Sequence, residues 1–203
     1  MNAILLNKNF SAGAYFTAFA AFLLMMILLL LNHSSDPFHE CLNLEKEKSI
    51  PLFVSVYFFL DFVLVTGWLL GWPGIISILK IEKNRLLQGL FVGGILGPLL
   101  DYAETMLSII IMLQDQSDKL TQNTLYQVWS WLSGLSYLIP YITAMALGIV
   151  LLKKIISMRW VAWICMLGLP LGFFGYLWPL TESVTYLWWP LWFLSLGIFA
   201  ARS

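Results

Sequence analysis

Long apolar stretches alternate with short polar ones along this chain, a pattern typical of membrane-spanning helices. A helix needs roughly 20 mostly apolar residues to cross a hydrocarbon core about 30 Å thick. Six stretches meet this requirement, and the polar segments between them are short. The sequence therefore predicts an all-α, polytopic transmembrane helical bundle, a single integral membrane domain over residues 1–203 with spans at 13–31, 51–72, 86–113, 128–152, 160–177 and 185–201.

Composition agrees with this class and narrows the choice of partners. Hydrophobic residues make up 60% of the chain and charged residues 11%, and the mean hydropathy is +0.83, far from that of an ordinary soluble domain. The formal net charge is zero, so no nucleic-acid partner is expected. The lipid bilayer is the partner that the composition itself implies.

Basic residues are distributed unevenly between two sets of polar segments. The N-terminal segment, the second and fourth loops and the C-terminal segment together hold eight Lys or Arg residues, whereas the other loops hold three. Because cytoplasmic loops of membrane proteins carry the excess of Lys and Arg, both termini are predicted to be cytoplasmic. We expect a multi-pass protein of the plasma membrane, which in a bacterium is the inner membrane.

Small residues on two predicted spans indicate close helix packing. Gly89, Gly93 and Gly97 recur at every fourth position of the third span and so lie on one face of the helix. Gly168 and Gly172 repeat this spacing in the fifth span. Rows of small residues let neighbouring helices approach each other, so these glycines are predicted to form packing faces.

Acidic residues in the second and third spans form the main candidate site. The glycine row of the third span continues to Asp101, with Glu104 one turn further on, and Asp61 lies near the middle of the second span. Sequential helices joined by a short turn usually pack side by side, so the three acids are predicted to form one intramembrane cluster. The candidate hydrogen-bond partners of this cluster are Tyr57, Tyr102, Thr105, Ser108 and Tyr137.

The cluster has no counter-charge within the predicted spans. An ionised Asp at a helix centre costs roughly 2.5–3.5 kcal/mol of insertion free energy, yet every Lys and Arg lies outside the spans. The acids are therefore either protonated or paired with a cation from elsewhere. Three roles stay open, namely neutral interhelical hydrogen-bond donors, a proton or cation site, and a docking site for a basic residue of a partner.

The ten tryptophans concentrate near the ends of the predicted spans. Indole rings favour the headgroup level of a bilayer, so most of these residues are interpreted as interface anchors, among them Trp68, Trp72 and Trp188. The alternative interpretation is an aromatic ligand cage around Trp188, Trp189 and Trp192.

The first loop holds the only two histidines, with a cysteine nearby: His33, His39 and Cys41. Imidazole and thiolate groups ligate Zn or Cu, but this spacing matches no established metal motif, so solvated loop residues are the preferred interpretation. No span contains a histidine, and the chain has no Walker loop, G-x-G-x-x-G or C-x-x-C motif. We predict no catalytic residue, no metal and no cofactor, and an enzyme that acts through the acids alone is the minority interpretation.

LDFVLVTGW around Asp61 and GPLLDYAETML around Asp101 follow each other in neighbouring predicted spans. Together they resemble small bacterial multi-spanning membrane proteins of uncharacterised function, which pair an L-D motif in one helix with D-x-x-E-N in the next. The similarity extends over residues 55–150, and Thr105 stands where that group has Asn. The resemblance implies that the two helices pair and implies no particular activity.

Two functions remain from the sequence. The first is a non-catalytic subunit or accessory of a membrane complex that packs through its glycine-rich helix faces, either with other membrane subunits or as a homo-oligomer. The alternative is a small proton- or cation-coupled carrier, or a lipid-handling protein, that uses the acidic cluster.

Overall fold

The computed structural model describes residues 8–31, 52–79, 85–113, 119–154, 158–177 and 179–203. In these ranges the chain forms six α-helices and no strand, which confirms the predicted all-α bundle. The helices are α1 (Lys8–Leu31), α2 (Leu52–Ile78), α3 (Arg85–Leu113), α4 (Lys119–Lys154), α5 (Arg159–Leu177) and α6 (Pro179–Arg202).

Four of the helices, α1 to α4, are long and apolar enough to cross a membrane by their length and composition. Helix α5 adds a shorter apolar segment, Arg159–Phe174. The chain therefore carries the helices of an integral membrane protein.

Four predicted span limits differ clearly from the helix limits. Helix α1 begins at Lys8 rather than at residue 13, α4 begins at Lys119 rather than at 128, and α6 begins at Pro179 rather than at 185. Helix α2 continues through Pro73 to Ile78 although its predicted span ends at 72. The reason is that hydropathy marks the apolar part of a helix. The helical backbone, which satisfies its own N–H and C=O groups, continues into the polar sequence on either side.

The six helices form a closed ring. Each helix packs against the next one along the chain, and α1 also packs against α6. The contacts between neighbours run in opposite residue order: on α2, Gly74 faces Ser11 of α1, whereas Gly67 faces Ala18. This up-and-down arrangement of six helices brings Lys8 and Arg202 to the same end of the bundle.

Five of the six interfaces around the ring place an aromatic side chain directly against a glycine of the neighbouring helix. A Cβ atom added at each of these glycines would overlap the ring beside it. The pairs are Tyr15 with Gly71, Trp72 with Gly94, Tyr141 with Gly172, Trp188 with Gly168 and Phe16 with Gly197.

The glycines named from the sequence fall into two groups. Gly93 lies against Thr143 of α4, and Gly97 lies between Trp68 of α2 and Pro140 of α4. Gly168 and Gly172 each lie against an aromatic ring, as described above. Gly89 differs from the others because nothing lies within 4 Å of the position that its Cβ would occupy, so no helix packs against this end of the row.

The centre of the ring is filled by side chains that we call the central aromatic cluster. Ring centroids within it are 5.0–6.0 Å apart, close enough for edge-to-face and stacked contacts, and five of its six residues are buried. Helix α6 contributes four members, and α2 and α4 one each. The cluster consists of Trp68, Tyr141, Trp188, Trp189, Trp192 and Phe193.

The interface-anchor interpretation is therefore wrong for several tryptophans. Trp68, Trp72 and Trp188 are at most 3% exposed and lie in the protein core, out of reach of lipid headgroups. Trp131 and Trp163 are exposed, as an anchor requires. The indoles near the ends of the apolar stretches thus serve two purposes, and hydropathy alone does not separate them.

We expect Gly94→Ala to destabilise the fold by about 1–3 kcal/mol, the usual cost of overpacking. The added methyl group would meet the indole of Trp72, which is fully buried and fixed by a 3.1 Å hydrogen bond from its Nε1 to the carbonyl oxygen of Leu90. Gly89→Ala is the matched control, because it makes the same change in the same helix at an open position. Unfolding of both variants in mixed micelles checks the difference, and equal stability would contradict the packing described here.

Candidate functional site

A cavity of 230 Å³ lies inside the helix ring and is lined by side chains of α1, α2, α3, α4 and α6. Asp61 of α2 and Asp101 and Glu104 of α3 all line it, so the structure brings the three acids named from the sequence into one site. We call this site the acidic cavity.

The antiparallel pairing of α2 and α3 explains this convergence. Asp61 lies about 14 Å along α2 from Leu52, and Glu104 lies about 14 Å along α3 from Leu113, at 1.5 Å per residue. Leu52 and Leu113 are at the same end of the bundle, so the two carboxyl groups lie at the same depth. This depth is in the half of the bundle away from Lys8 and Arg202.

Asp61 is held by a hydroxyl group of the neighbouring helix. The Oγ1 of Thr105 donates a 2.6 Å hydrogen bond to Oδ2 of Asp61, and Thr105 itself is 5% exposed. This bond joins α2 to α3 directly at the cavity. It also fixes one carboxyl oxygen and leaves the other for a second contact.

Glu104 is bound to α4 through Ser136. The Ser136 hydroxyl donates to Oε2 of Glu104 and is also 3.0 Å from the carbonyl oxygen of Ser133. A hydroxyl has one proton and two acceptor lone pairs, so it cannot donate fully to both oxygens. Ser136 therefore shares its proton between Glu104 and the carbonyl oxygen of Ser133.

Asp101 lies in the cavity between these two bonded acids, and no described side chain donates a hydrogen bond to its carboxyl group. The ionisable groups that interact with it electrostatically are Asp61 and Glu104, and both are acidic. Asp101 is half-buried, so of the three acids it is the one that the described side chains of the neighbouring helices leave without a donor.

The described side chains that line the cavity include three acids and no basic residue. The basic side chains that the structure describes are Lys8, Lys153, Arg159 and Arg202; all are exposed at the end of the bundle that carries Lys8, and none lines the cavity. An isolated buried carboxylate is costly in a medium of low dielectric constant. Three ionised carboxylates would therefore require a positive charge that the described side chains of the cavity do not supply.

Aromatic rings form most of the remaining wall. Tyr57 of α2 and Tyr137 of α4 line the cavity, as does Phe22 of α1. Trp68, Trp189 and Phe193 of the central aromatic cluster form its floor, and Tyr186 lies one helical turn before Trp189.

The contributions of α1 and α6 were missed by the sequence analysis. They depend on contact between the first and last helices, which no local pattern reveals. A signal was nevertheless present on α6, because Tyr186, Trp189 and Phe193 are spaced i, i+3, i+7 and so share one helix face.

Some of the predicted hydrogen-bond partners of the acids lie at the cavity and others do not. Tyr57 and Tyr137 line the cavity, and Thr105 bonds to Asp61. Ser108 does not contact a carboxyl group, since it donates to the backbone oxygen of Glu104 at 3.0 Å and accepts a 2.9 Å bond from Nε1 of Trp129.

Tyr102 points away from the acids, so its predicted role as their partner is wrong. Its hydroxyl bonds to Thr66 and donates to the carbonyl oxygen of Phe62 at 3.3 Å, and its ring stacks on that of Phe62. Tyr102 follows Asp101 directly, and adjacent helical residues point about 100° apart, which explains why the two diverge.

Metal ligation has no support in the part of the chain that the structure describes. No three His, Cys, Asp or Glu side chains there are arranged to hold one metal ion, and Cys165 is a buried free thiol. The weak metal candidates His33, His39 and Cys41 lie outside the described residues.

Comparison of the chain with protein-family models, with curated proteins and with solved structures finds no match. The function must therefore be argued from the acidic cavity and its surroundings.

We expect Thr105→Val to destabilise the bundle by about 0.6–1.7 kcal/mol, the range for interhelical hydrogen bonds in membrane proteins. The substitution keeps the shape of the side chain but removes the donor to Asp61. Thr17→Val is the matched control, because the exposed Thr17 hydroxyl bonds only to the Gly13 carbonyl of its own helix. Mixed-micelle unfolding measures both, and a loss no larger for Thr105→Val than for the control would refute the structural role of this bond.

Proposed function

We propose that this protein is a multi-pass protein of the plasma membrane that binds a cation in the acidic cavity in exchange for protons, as a small cation-coupled carrier does. One observation carries the proposal. Three carboxyl groups from two helices line a single cavity, and no basic side chain in the described part of the chain lines it with them.

Proton exchange follows from the cost of burying charge. Three ionised acids at this depth would cost several kcal/mol, at roughly 2.5–3.5 kcal/mol each. Protons or a cation must offset that cost, and in this proposal the two exchange for each other. When a cation enters, an acid loses its O–H proton to water, and the resulting carboxylate stabilises the cation, so that charge is conserved within the site.

A purely structural role explains Asp61 and Glu104 but not Asp101. The first two carboxyl groups each bond to a hydroxyl of a neighbouring helix and so contribute to packing. Asp101 has no such bond to any described side chain and makes no comparable contribution. Ionisable residues inside a membrane protein most often belong to ion or proton pathways, and Asp101 fits that expectation.

A subunit role in a larger membrane complex is the second candidate. Most of the glycines that suggested docking faces are occupied by side chains of the chain itself. A groove of 580 Å³ lies between α1 and α2 in the described part of the chain, and Gly13 on its wall has open space beside it, which suits the approach of another helix. Stoichiometric co-purification of a second membrane protein in mild detergent would favour this role.

The orientation belongs to the same proposal. The exposed basic side chains Lys8, Lys153, Arg159 and Arg202 all lie at one end of the bundle, which by the positive-inside rule faces the cytoplasm. The acidic cavity then lies in the half of the membrane that faces outward.

Single cysteines test this orientation. In a variant without Cys41, we expect cysteines at positions 83 and 154 to be shielded in intact cells from a membrane-impermeant thiol reagent and to react once the cells are opened. A cysteine at position 46, in the first loop, is the matched outward control. Labelling of position 83 or 154 from outside would contradict six spans with both termini in the cytoplasm.

Difference infrared spectroscopy tests the exchange itself. Addition of a bound cation should remove the band of a protonated carboxyl group and produce that of a carboxylate, and Asp101→Asn should lose this change while remaining folded. Asp115→Asn, in the segment between α3 and α4, should keep it. Na⁺, K⁺ and an organic ammonium ion are tried in turn, and a wild-type protein in which none of them deprotonates a carboxyl group would refute the proposed function.

A further inference from the structure

The size of the acidic cavity limits the ligand. Its volume of 230 Å³ is below the range of about 300–1,000 Å³ typical of sites for drug-sized molecules, yet far above the roughly 30 Å³ that one water occupies. The cavity therefore suits a ligand of several heavy atoms, larger than a bare ion and smaller than a lipid headgroup with its chains.

The arrangement of the acids does not suit a compact inorganic cation. Hard cations such as Ca²⁺ require about six to eight oxygen ligands around one point. No three of the described acidic side chains converge in this way, and one oxygen of Asp61 and one of Glu104 are already engaged by hydroxyl groups. A cation whose charge is spread over a larger volume fits this spacing better.

Aromatic faces supply the complementary interaction. Rings of Tyr57, Tyr137 and Tyr186 share the cavity with the acids, and Trp189 lies at its floor. Trp and Tyr faces attract a cation within about 6 Å, and the attraction is strongest when the cation is desolvated, as in recognition of quaternary ammonium groups. Carboxyl groups and aromatic faces in one small cavity are the two features that such a cation requires.

A buried donor at the same cavity provides an independent sign of a ligand. The Trp68 side chain lines the cavity and is 1% exposed, and its indole N–H has no hydrogen-bond partner. A buried donor without a partner costs about 1–3 kcal/mol. Because this N–H has almost no accessible surface, the Trp68 side chain must shift for an oxygen acceptor of a ligand at this wall to reach it.

From these features we infer that the acidic cavity binds a small organic ammonium ion that also carries an oxygen acceptor. The cationic nitrogen lies between Asp101 and the faces of the aromatic rings, and the oxygen accepts from Trp68. This inference rests on the proposed function of the cavity, and it adds the chemical class of the ligand.

Choline is a suitable probe, because it combines a quaternary ammonium group with a hydroxyl. We expect calorimetric titration of the detergent-solubilised full chain to show choline binding at least about tenfold tighter than binding of 3,3-dimethyl-1-butanol, its uncharged isostere. Equal affinity for the two compounds would overturn the inference, since it would show that the charge is not recognised.

Variants of the wall separate recognition from folding. Trp189→Leu should weaken choline binding at least about tenfold, whereas Trp189→Phe, which keeps an aromatic face, should retain most of it. Trp131→Leu removes an exposed tryptophan far from the cavity and should have no effect. If Trp189→Leu does not fold, Tyr57→Leu provides the same comparison at the opposite wall. Unchanged choline binding in a folded wall variant would refute the aromatic contribution.

The infrared experiment distinguishes failure of the ammonium ligand from failure of the proposed cation exchange. If Na⁺ or K⁺ deprotonates the carboxyl groups and choline does not, the ammonium ligand is wrong and the proposed cation exchange stands. If choline produces the change and Asp101→Asn abolishes it, both are supported. If no cation produces it, both are wrong.

Discussion

The fold depends on aromatic rings that lie against glycines of the next helix. At each such contact a Cβ atom on the glycine would overlap the ring, so only glycine allows the two helices their observed separation. The contact between Phe16 and Gly197 closes the ring of helices by joining α1 to α6. This closure brings Trp189 and Phe193 beside Trp68 and so forms the floor of the acidic cavity. The site therefore exists because the ring closes.

The closed ring also explains how three acids are tolerated within a membrane protein. Lipid has no groups that could solvate a carboxyl, so the acids must face the interior of the bundle. There they meet hydroxyl groups of α3 and α4, which donate hydrogen bonds to Asp61 and Glu104. These neighbours provide no positive charge. In the proposed function, proton and cation binding therefore compete at this site.

Much of this arrangement follows from the sequence, and the remainder has identifiable causes. The convergence of Asp61, Asp101 and Glu104 was predictable, because adjacent helices were expected to pair and the residues lie at similar depths. The inward position of Trp68 and Trp72 was not, because the apolar stretch ends at residue 72 while the helix continues to Ile78. The part of α6 in the cavity wall depends on a contact between the two ends of the chain. The aromatic spacing on α6 marks one face of that helix, but it does not show which helix that face meets.

The position of the central aromatic cluster bears on whether the proposed cation site belongs to a binding protein or to a carrier. The cluster lies between the acidic cavity and the basic end of the bundle, and α2 and α6 meet there mainly through Trp68, which contacts Trp189, Trp192 and Phe193. A binding protein needs no change in these contacts. A carrier must separate Trp68 from the rings of α6 to expose the cation at the basic end of the bundle. The ligand can favour that change only if it binds the separated form more tightly. Because Trp68 and Trp189 line the cavity themselves, a ligand seated there touches both sides of the contact that would have to open. The side chains that we propose to recognise the cation are thus the ones whose separation would make the protein a carrier.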